Sequence, residues 1–339
     1  MSADSPADHI IAATDAFDPE ALRASMRSLD AGPLLAPERQ ADASLSAYLD
    51  HYALLVPVDV AHRFGHIDAL GTTIAVHLFL PPTPRGSLIA VHGLFDHAAL
   101  WRHQLRWALG RGLAVCLFDL PGHGLSSGDR AHIDDFLHYV TALEAVLDHA
   151  GALLPAPRIG LGQSTGCSVL MQAVLDPSRP DPGLDDLVLL APLVRPVGDR
   201  LGRPLLPLLG PFFKKLPRTF YGNTSDPDFN RFQREADLLQ PDALPVKWIR
   251  AMARWSAAFD RLPRSGLSPC IVQGTRDATV DWKRNLPRIR QRFTTPEEIM
   301  LEGAKHNLMN EALIHRQRIE AVLDARLDRL LGASSGGVD

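Results

Sequence analysis

The chain has 339 residues, of which 46% are hydrophobic, and a formal net charge of −4 at pH 7. This length and composition allow a sizeable buried core in one large domain or two smaller ones. The charge balance does not favour nucleic acid or an anionic membrane surface as a partner.

The three cysteines, Cys116, Cys167 and Cys270, are scattered along the chain. They form neither a disulfide framework nor a CxxC metal site, and a reducing compartment is therefore expected. The N-terminus carries acidic residues where a signal peptide is basic, and no apolar run reaches the roughly 18 residues of a spanning helix. A cytoplasmic protein is the resulting prediction.

Residues 1–45 are predicted to form an N-terminal extension of unassigned role. Within it, Asp18 and Pro19 have the order expected of a helix N-cap and first turn. From about residue 56 the pattern changes, and residues 56–81 predict a β-hairpin around a glycine-containing turn.

Short apolar runs of strand length then alternate with segments of helix length. The strand candidates are SLIAVHG, LAVCLFDLPG, PRIGLGQS, DLVLLAP, PCIVQGTRD and EEIMLEG. Several do not alternate apolar and polar residues, as expected of strands covered on both faces. The order of elements predicts an α/β fold with a mostly parallel, doubly wound sheet.

The alternation stops between residues 193 and 266, a proline-rich stretch too long for an ordinary loop. The predicted organisation is therefore a discontinuous core, 46–192 and 267–333, with an inserted cap or lid at 193–266. An apolar run within the insertion, PLLPLLGPFF, has two interpretations that are compatible with each other. It packs the insertion onto the core, or it forms an acyl-chain tunnel or a contact with a lipid surface.

Residues 160–167 read GLGQSTGC and raise the question of a nucleotide-binding loop. A dinucleotide fingerprint requires a third glycine or alanine where this chain has Thr165, and an acidic residue at the end of the next strand, which here ends in Ala-Pro. A phosphate-binding P-loop requires Gly-Lys-Ser/Thr, which is absent. Nucleotide binding is therefore disfavoured.

The pentapeptide Gly162–Gly166 is a G-x-S-x-G sequence that follows an apolar strand and precedes a helix. This context is that of a nucleophile elbow, where small flanking residues let strand and helix approach closely. The prediction is that Ser164 is a nucleophile, with glycines that merely ease a turn as the alternative.

A serine nucleophile requires a base and a carboxylate that orients it, in the chain order Ser, acid, His. Only His306 and His315 follow Ser164, and His306 lies in a loop after the last strand, whereas His315 falls within the closing helix. Asp277 directly follows the preceding strand and its turn. The predicted triad is Ser164, Asp277 and His306, with Asp281 as the alternative acid.

The tetrahedral intermediate of such a reaction needs N–H donors. The backbone of Thr165, next to the nucleophile, and of Leu94, in the loop VHGLFDH, are the predicted pair. His92 is interpreted as a structural histidine behind this loop. Predicted substrate-binding residues are Gly93, Phe95, His97 and Gln163, where His97 either contacts substrate or braces the loop. No metal or other cofactor is expected.

Taken together, VHGLFDH, FDLPGHGLSSG, GQSTG, GTRDATVD and GAKHNLMNE resemble the α/β-hydrolase superfamily. Within it, their order resembles the monoacylglycerol lipase and lysophospholipase branch of the serine aminopeptidase-type hydrolases, over residues 70–330. The resemblance implies an eight-stranded, mostly parallel sheet, a lid after the strand that follows the elbow, and a loop at 118–128 that holds the site's geometry.

The expected function is hydrolysis of a lipid-like carboxylic ester, a monoacylglycerol or a lysophospholipid, through an acyl-enzyme. The alternatives are a peptidase or amidase of the proline iminopeptidase type and a non-catalytic binding protein with a hydrolase fold. The expected partner is a small-molecule ester, with peripheral membrane contact through the cap and no nucleic acid. Oligomeric state and head group are left open.

Overall fold

The computed structural model describes residues 17–29, 36–198, 213–218 and 222–335. The helices of this part are α1 (Pro19–Ser25), α2 (Ala36–Ala41), α3 (Ala43–His51), α4 (Arg102–Gly110), α5 (Leu137–Ala150), α6 (Thr165–Leu175), α7 (Pro227–Glu235), α8 (Val246–Ala258), α9 (Trp282–Arg290) and α10 (Leu313–Ser335). The strands are β1 (Arg27–Ser28), β2 (Ala61–Ala69), β3 (Thr72–Leu80), β4 (Ser87–Val91), β5 (Ala114–Phe118), β6 (Arg158–Gln163), β7 (Asp186–Leu190), β8 (Lys215–Pro217), β9 (Ala243–Pro245), β10 (Cys270–Gly274) and β11 (Glu297–Leu301).

One large sheet has the strand order β1-β2-β3-β5-β4-β6-β7-β10-β11. Strands β2 and β3 form the predicted antiparallel hairpin, and β3 also pairs antiparallel with β5, whereas the remaining neighbours are parallel. The mostly parallel α/β architecture is therefore confirmed. The sheet has a ninth, two-residue strand, β1, beside the eight that were expected, and β8 pairs with β9 outside it.

The central strands are apolar on both faces because each face is covered by its own core. In β4, Leu88 and Ala90 belong to one buried cluster, whereas Ile89 and Val91 belong to the other. Because side chains alternate in direction along a strand, each central strand contributes residues to both cores. This arrangement accounts for the continuous apolar runs in the sequence.

The N-terminal segment is part of the first of these cores. Asp18 caps α1 by accepting hydrogen bonds from the backbone N–H groups of Glu20 and Ala21, at 2.9 and 3.2 Å. Leu22 of α1 and Leu45 and Tyr48 of α3 are fully buried in the first cluster. The predicted helix is confirmed, and the buried residues of α1 and α3 pack as core. The predicted boundaries at residues 45, 192 and 266 stay predictions.

The parallel strands determine where functional groups gather. Because β4, β5, β6, β7, β10 and β11 run in one direction, the loops that follow them emerge at one edge of the sheet. This edge is where ligands bind in open α/β sheets. Residues 92–97, 164, 275–281 and 302–307 all follow such strand ends.

Candidate active site

Ser164 occupies a tight turn between β6 and α6. Its backbone has φ 53° and ψ −109°, a conformation that residues with a Cβ rarely adopt. Its N–H donates to the Leu190 carbonyl oxygen at 2.9 Å. A Cβ on Gly166 would lie 1.8 Å from the carbonyl oxygen of Val91. The strand–turn–helix context expected for the elbow is present, and it keeps the Ser164 side chain at the end of the sheet.

His306 and Asp277 form a buried pair. The Nδ1 of His306 donates to Oδ2 of Asp277 at 2.8 Å, while Oδ1 of Asp277 accepts from the backbone N–H groups of Thr279 and Val280 at 2.8 and 3.1 Å. Gln273 adds a fourth donor, to Oδ2, at 3.0 Å. Both oxygens of the carboxylate thereby accept hydrogen bonds. Because Nδ1 of His306 is bound to Asp277, Nε2 is the nitrogen left for another partner.

The two groups shift each other's pKa. Burial alone would raise the pKa of Asp277, but the charge and hydrogen bond of His306, with the two backbone donors, lower it. Burial would lower the pKa of His306, yet the charge and hydrogen bond of Asp277, assisted by Asp96, raise it above the usual value. The pair therefore favours an ionised acid beside an imidazole that readily accepts a proton.

Gln163, the residue before Ser164, joins the elbow to the histidine loop. Its Nε2 donates to the carbonyl oxygen of His306 at 2.9 Å, and its Oε1 accepts from the backbone N–H of Leu308 at 3.1 Å. The side chain is fully buried. These two bonds hold the loop that carries His306 against the turn that carries Ser164.

The backbone N–H groups of Leu94 and Thr165 lie at residues that line the same cavity as Ser164. Thr165 is the first residue of α6, where an N–H has no partner within the helix. Within the described ranges neither N–H has a hydrogen-bond acceptor. Both donors are thus available to a ligand beside Ser164.

His92 lies behind this loop. Its ring is fully buried; Nε2 accepts from the backbone N–H of Leu120 at 2.9 Å and Nδ1 donates to the carbonyl oxygen of Gly93 at 2.7 Å. Asp119 fixes the neighbouring loop by accepting from the N–H groups of Ala98 and Leu125, each at 2.7 Å. Both residues hold backbone in place and do not face the cavity.

The cavity at the sheet edge has a volume of about 450 Å³. Its apolar wall comes from the loop after β4, the loop after β7 and the inserted segment, and its polar wall surrounds Ser164 and His306. The lining residues are Leu94, Phe95, Asp96, Ser164, Thr165, Leu193, Pro196, Val197, Pro217, Arg218, Asn223, Gln233, Leu244, Trp248, Ala278, Thr279, His306 and Asn307.

The residues predicted to bind substrate divide into two groups. Phe95 lines the cavity, whereas Gly93, His97 and Gln163 are not among its lining residues. His97 is fully buried against Asp237, with Nε2 at 3.1 Å from Oδ1. Gly93 and Gln163 are engaged in packing the elbow against the neighbouring loops. The contacts of these three residues are therefore with the protein.

Two charged residues of the cavity, Asp96 and Arg218, were not predicted from the sequence. Burial raises the pKa of Asp96 to about 6 against the opposing influence of Arg218, and burial lowers the pKa of Arg218 to about 10. The Arg218 guanidinium lies over the Phe95 ring, 4.3 Å from its centroid. The position of Asp96, two residues after Leu94, could have indicated that it lies in the cavity. Nothing in the sequence indicates that Arg218 lies there.

The alternative acid and base lie elsewhere. Asp281 occupies the N-cap position of α9 without a side-chain capping bond and pairs with Arg284 at 3.2 Å. His315 lies in the first turn of α10. Neither residue lines the cavity.

Some expectations concern groups outside this site. The apolar run PLLPLLGPFF falls almost wholly on residues 199–212, which lie outside the described residues. Among the described residues, no group of three or more His, Cys, Asp or Glu side chains could hold a metal ion. The three cysteines are buried and free. No helix of the described ranges is long and apolar enough to cross a membrane.

The architecture corresponds to solved α/β-hydrolase structures. A soluble variant of monoglyceride lipase from Saccharomyces cerevisiae, in complex with a substrate analog, aligns with a TM-score of 0.67 and 16% identity, over 79% of this chain and 96% of that chain. The monoacylglycerol lipase of Paleococcus ferrophilus aligns with a TM-score of 0.61 and 20% identity, over 76% and 98%. At these identities the likeness establishes the fold alone, which is that of an α/β-hydrolase.

Sequence comparison gives the family. The family described as "Serine aminopeptidase, S33" matches residues 82–312, so the chain belongs to this family of α/β-hydrolases. A Mycolicibacterium smegmatis "Monoacylglycerol lipase" is 33% identical over 111 residues, covering 32% of this chain but 39% of that protein. A Mus musculus "Monoglyceride lipase" is 26% identical over 246 residues, covering 68% of this chain and 78% of that protein.

Proposed function

We propose that the protein is a serine hydrolase that cleaves lipid-like carboxylic esters, with a monoacylglycerol as the favoured substrate. The observation that carries the proposal is the convergence of Ser164, the His306–Asp277 pair and two free N–H donors on one cavity. The names of the relatives support the ester class, since both proteins aligned by sequence are named as lipases of monoacylglycerols.

The proposed first step is acylation of Ser164. His306, held at Nδ1 by Asp277, takes the hydroxyl proton through Nε2 as the Ser164 oxygen attacks the ester carbonyl carbon. The N–H groups of Leu94 and Thr165 stabilise the oxyanion. The imidazolium then donates its proton to the leaving alcohol oxygen, and a water molecule releases the acid by the same route.

The walls of the cavity suggest how the two parts of an ester are placed. Leu193, Val197, Leu244 and Trp248 offer an apolar surface for an acyl chain. On the polar side, Asp96 and Arg218 carry opposite charges and supply acceptors and donors for an alcohol with free hydroxyl groups. We propose that the insertion acts as a cap over this cavity. Contact of the cap with a membrane surface, and a cytoplasmic location, stay predictions.

A peptidase is the second candidate, and one observation favours it. Asp96 places a buried carboxylate in the cavity, where it could bind the free amine of a peptide, and the family is described as serine aminopeptidases. Arg218 weakens this interpretation, because it lies close enough to act on Asp96 electrostatically and is the natural partner of that carboxylate.

The test measures hydrolysis of monoacylglycerol, lysophosphatidylcholine, nitrophenyl esters of graded chain length and prolyl amides by the purified protein. Ser164→Ala is compared with Ser168→Ala, which removes a buried hydroxyl on α6 that donates to the Leu193 carbonyl. We expect ester turnover and fluorophosphonate labelling to be lost in Ser164→Ala and retained in Ser168→Ala.

Each result has a defined consequence. Full ester turnover in Ser164→Ala would overturn the assignment of the nucleophile. Cleavage of prolyl amides without cleavage of any ester would move the protein to the peptidases. A preference for lysophosphatidylcholine over monoacylglycerol would keep the mechanism and change the head group.

A further inference from the structure

Asp237, in the inserted segment just after α7, has no exposed side-chain surface and accepts hydrogen bonds from four residues. Its Oδ1 accepts from the Tyr52 hydroxyl at 2.8 Å and from the Leu239 N–H at 3.1 Å, and its Oδ2 accepts from Gln240 at 2.8 Å. The Nε2 of His97 lies 3.1 and 3.2 Å from the two oxygens. A buried carboxylate needs this number of donors to stay ionised.

His97 connects this cluster to the site. It directly follows residues 93–96, whose turn is closed by a hydrogen bond from the Asp96 N–H to the Gly93 carbonyl at 3.1 Å, and Leu94 supplies one proposed oxyanion donor. Burial would lower the pKa of His97, but the charge of Asp237 and its hydrogen bond raise it. A buried hydrogen bond between His97, in a loop of the core, and Asp237, in the inserted segment, thus anchors the loop that carries the donor.

Tyr52 brings a third part of the chain to Asp237. It is the C-cap residue of α3, it is 1% exposed, and its ring lies edge-on to His97 with centroids 4.8 Å apart. The neighbouring His51 bonds through Nε2 to the Ala236 carbonyl oxygen at 3.0 Å, so the end of α3 contacts both residues 236 and 237. Tyr52 precedes residue 82, where the family match begins.

We propose that Tyr52 is a positioning residue: its hydroxyl orients the Asp237 carboxylate toward His97, and so holds the loop that presents the Leu94 N–H. The proposal rests on the proposed hydrolytic function for its catalytic consequence. It assigns the end of α3, which precedes the family match, a role in the reaction beyond its share of the core. Tyr52 acts through Asp237 and His97 and does not itself reach the substrate.

Removal of the Tyr52 hydroxyl leaves the Asp237 carboxylate less firmly held. Without the hydroxyl, Oδ1 of Asp237 loses its shortest hydrogen bond in a place that water does not reach, and the carboxylate can shift toward its remaining donors. A shift of the carboxylate moves His97 and, with it, the 93–97 turn. Because an oxyanion donor acts mainly in the transition state, the loss appears in kcat and not in KM.

The experiment compares Tyr52→Phe with Tyr48→Phe in the full chain. Tyr48 lies one turn earlier on α3, is equally buried, and its hydroxyl bonds to His77 at 3.3 Å, not to Asp237. On a nitrophenyl ester we expect kcat of Tyr52→Phe to fall about fivefold with KM changed less than about twofold, a fraction of the loss of one oxyanion donor. Tyr48→Phe should keep the kcat of the parent protein.

A double-mutant cycle separates positioning from general weakening of the fold. If Tyr52 acts through the carboxylate, Tyr52→Phe has no further effect on kcat in an Asp237→Ala background, where the acceptor of its hydroxyl is absent. Hydrogen exchange at the amides of residues 94–98 gives a readout independent of turnover, and we expect faster exchange in Tyr52→Phe than in Tyr48→Phe.

The outcomes against the proposal are distinct from failure of the proposed function. Equal kcat values for the two folded tyrosine variants, or full additivity in the cycle, would overturn the role of Tyr52. A parent protein that neither hydrolyses esters nor labels with fluorophosphonate would overturn the hydrolase function instead. In that event the exchange comparison still decides whether Tyr52 holds the loop, since unchanged exchange contradicts it.

Discussion

Two buried carboxylates act on the ring of His306. Asp277 is hydrogen-bonded to it, and Asp96, across the cavity lining, raises the pKa of the same imidazole through its charge. Since the proposed base must be unprotonated to accept the Ser164 proton, these charges set the pH below which activity declines. The acid limb is therefore expected above the pH at which an ordinary histidine loses its proton.

We predict that Asp96→Asn moves the acid limb of kcat/KM to lower pH. The negative charge of Asp96 stabilises the imidazolium, so its removal lowers the pKa of His306 and leaves the base form populated in more acidic solution. Because the pKa of Asp96 is itself about 6, the midpoint in the parent protein belongs to both groups.

The measurement is a pH profile of kcat/KM on a neutral nitrophenyl ester. Asp281→Asn is the control, since it removes a carboxylate from the loop after β10 that pairs with Arg284 and not with the histidine. It should leave the midpoint where it is in the parent protein. A midpoint that stays or rises in Asp96→Asn would show that Asp96 has no such influence.

The sequence located some of these residues and not others, for a physical reason. Ser164 directly follows β6, and Asp277 and His306 lie in the loops after β10 and β11, so their meeting at the sheet edge follows from the order of elements. Arg218 and Asp237 come from the insertion, and their positions depend on how that segment packs onto the core. Neither composition nor periodicity specifies such packing, and so both residues were missed.

At the scale of elements, the elbow depends on contact between α6 and β4. The first turn of α6 lies directly against the end of β4, where a Cβ on Gly166 would meet the Val91 carbonyl oxygen at 1.8 Å and that of His92 at 2.8 Å. Both atoms are backbone, so neither can move aside as a flexible side chain would. The close approach brings the N-terminus of α6 toward residues 92–97, the loop with the proposed donor Leu94.

We predict that Gly166→Ala lowers the free energy of unfolding by about 3 kcal/mol or more, since an extra methyl group in a tightly packed core forces backbone to shift. Gly110→Ala is the matched control: Gly110 ends α4, and a Cβ there meets nothing within 4 Å. Its free energy of unfolding should change by less than about 1 kcal/mol. Urea unfolding of both variants makes the comparison; equal midpoints would contradict the contact.

Strands that are buried on both faces were predictable, because such burial requires an apolar sequence. Strands β4, β5, β7 and β10 are buried at every position, and β6 at every position except its first, Arg158. All five were recognised from their apolar content. Strand β1 is only Arg27–Ser28, both exposed, and its extended form comes from pairing with β2. A two-residue strand without an apolar pattern has no signal in the sequence.

At the scale of the molecule, the N-terminal segment and the hydrolase core share one apolar interior. Leu22, Leu45 and Tyr48 belong to the same buried cluster as Trp101, the residue before α4, and Trp107, within α4. A segment that buries its apolar residues in a common core is expected to unfold together with that core. The sequence suggested an appended extension because its helices are short and its polar content is high.

We predict that Leu22→Ala lowers the free energy of unfolding by about 2–4 kcal/mol, the range for a buried leucine replaced by alanine. All five tryptophans lie outside residues 1–60, so their fluorescence reports the rest of the molecule. The tryptophan unfolding midpoint should nevertheless fall in Leu22→Ala, and the far-ultraviolet dichroism midpoint should fall with it. Leu55→Ala, at a leucine that is 53% exposed, should leave both midpoints nearly unchanged. A tryptophan midpoint that does not move in Leu22→Ala would mean that α1 unfolds separately and lends the core no stability.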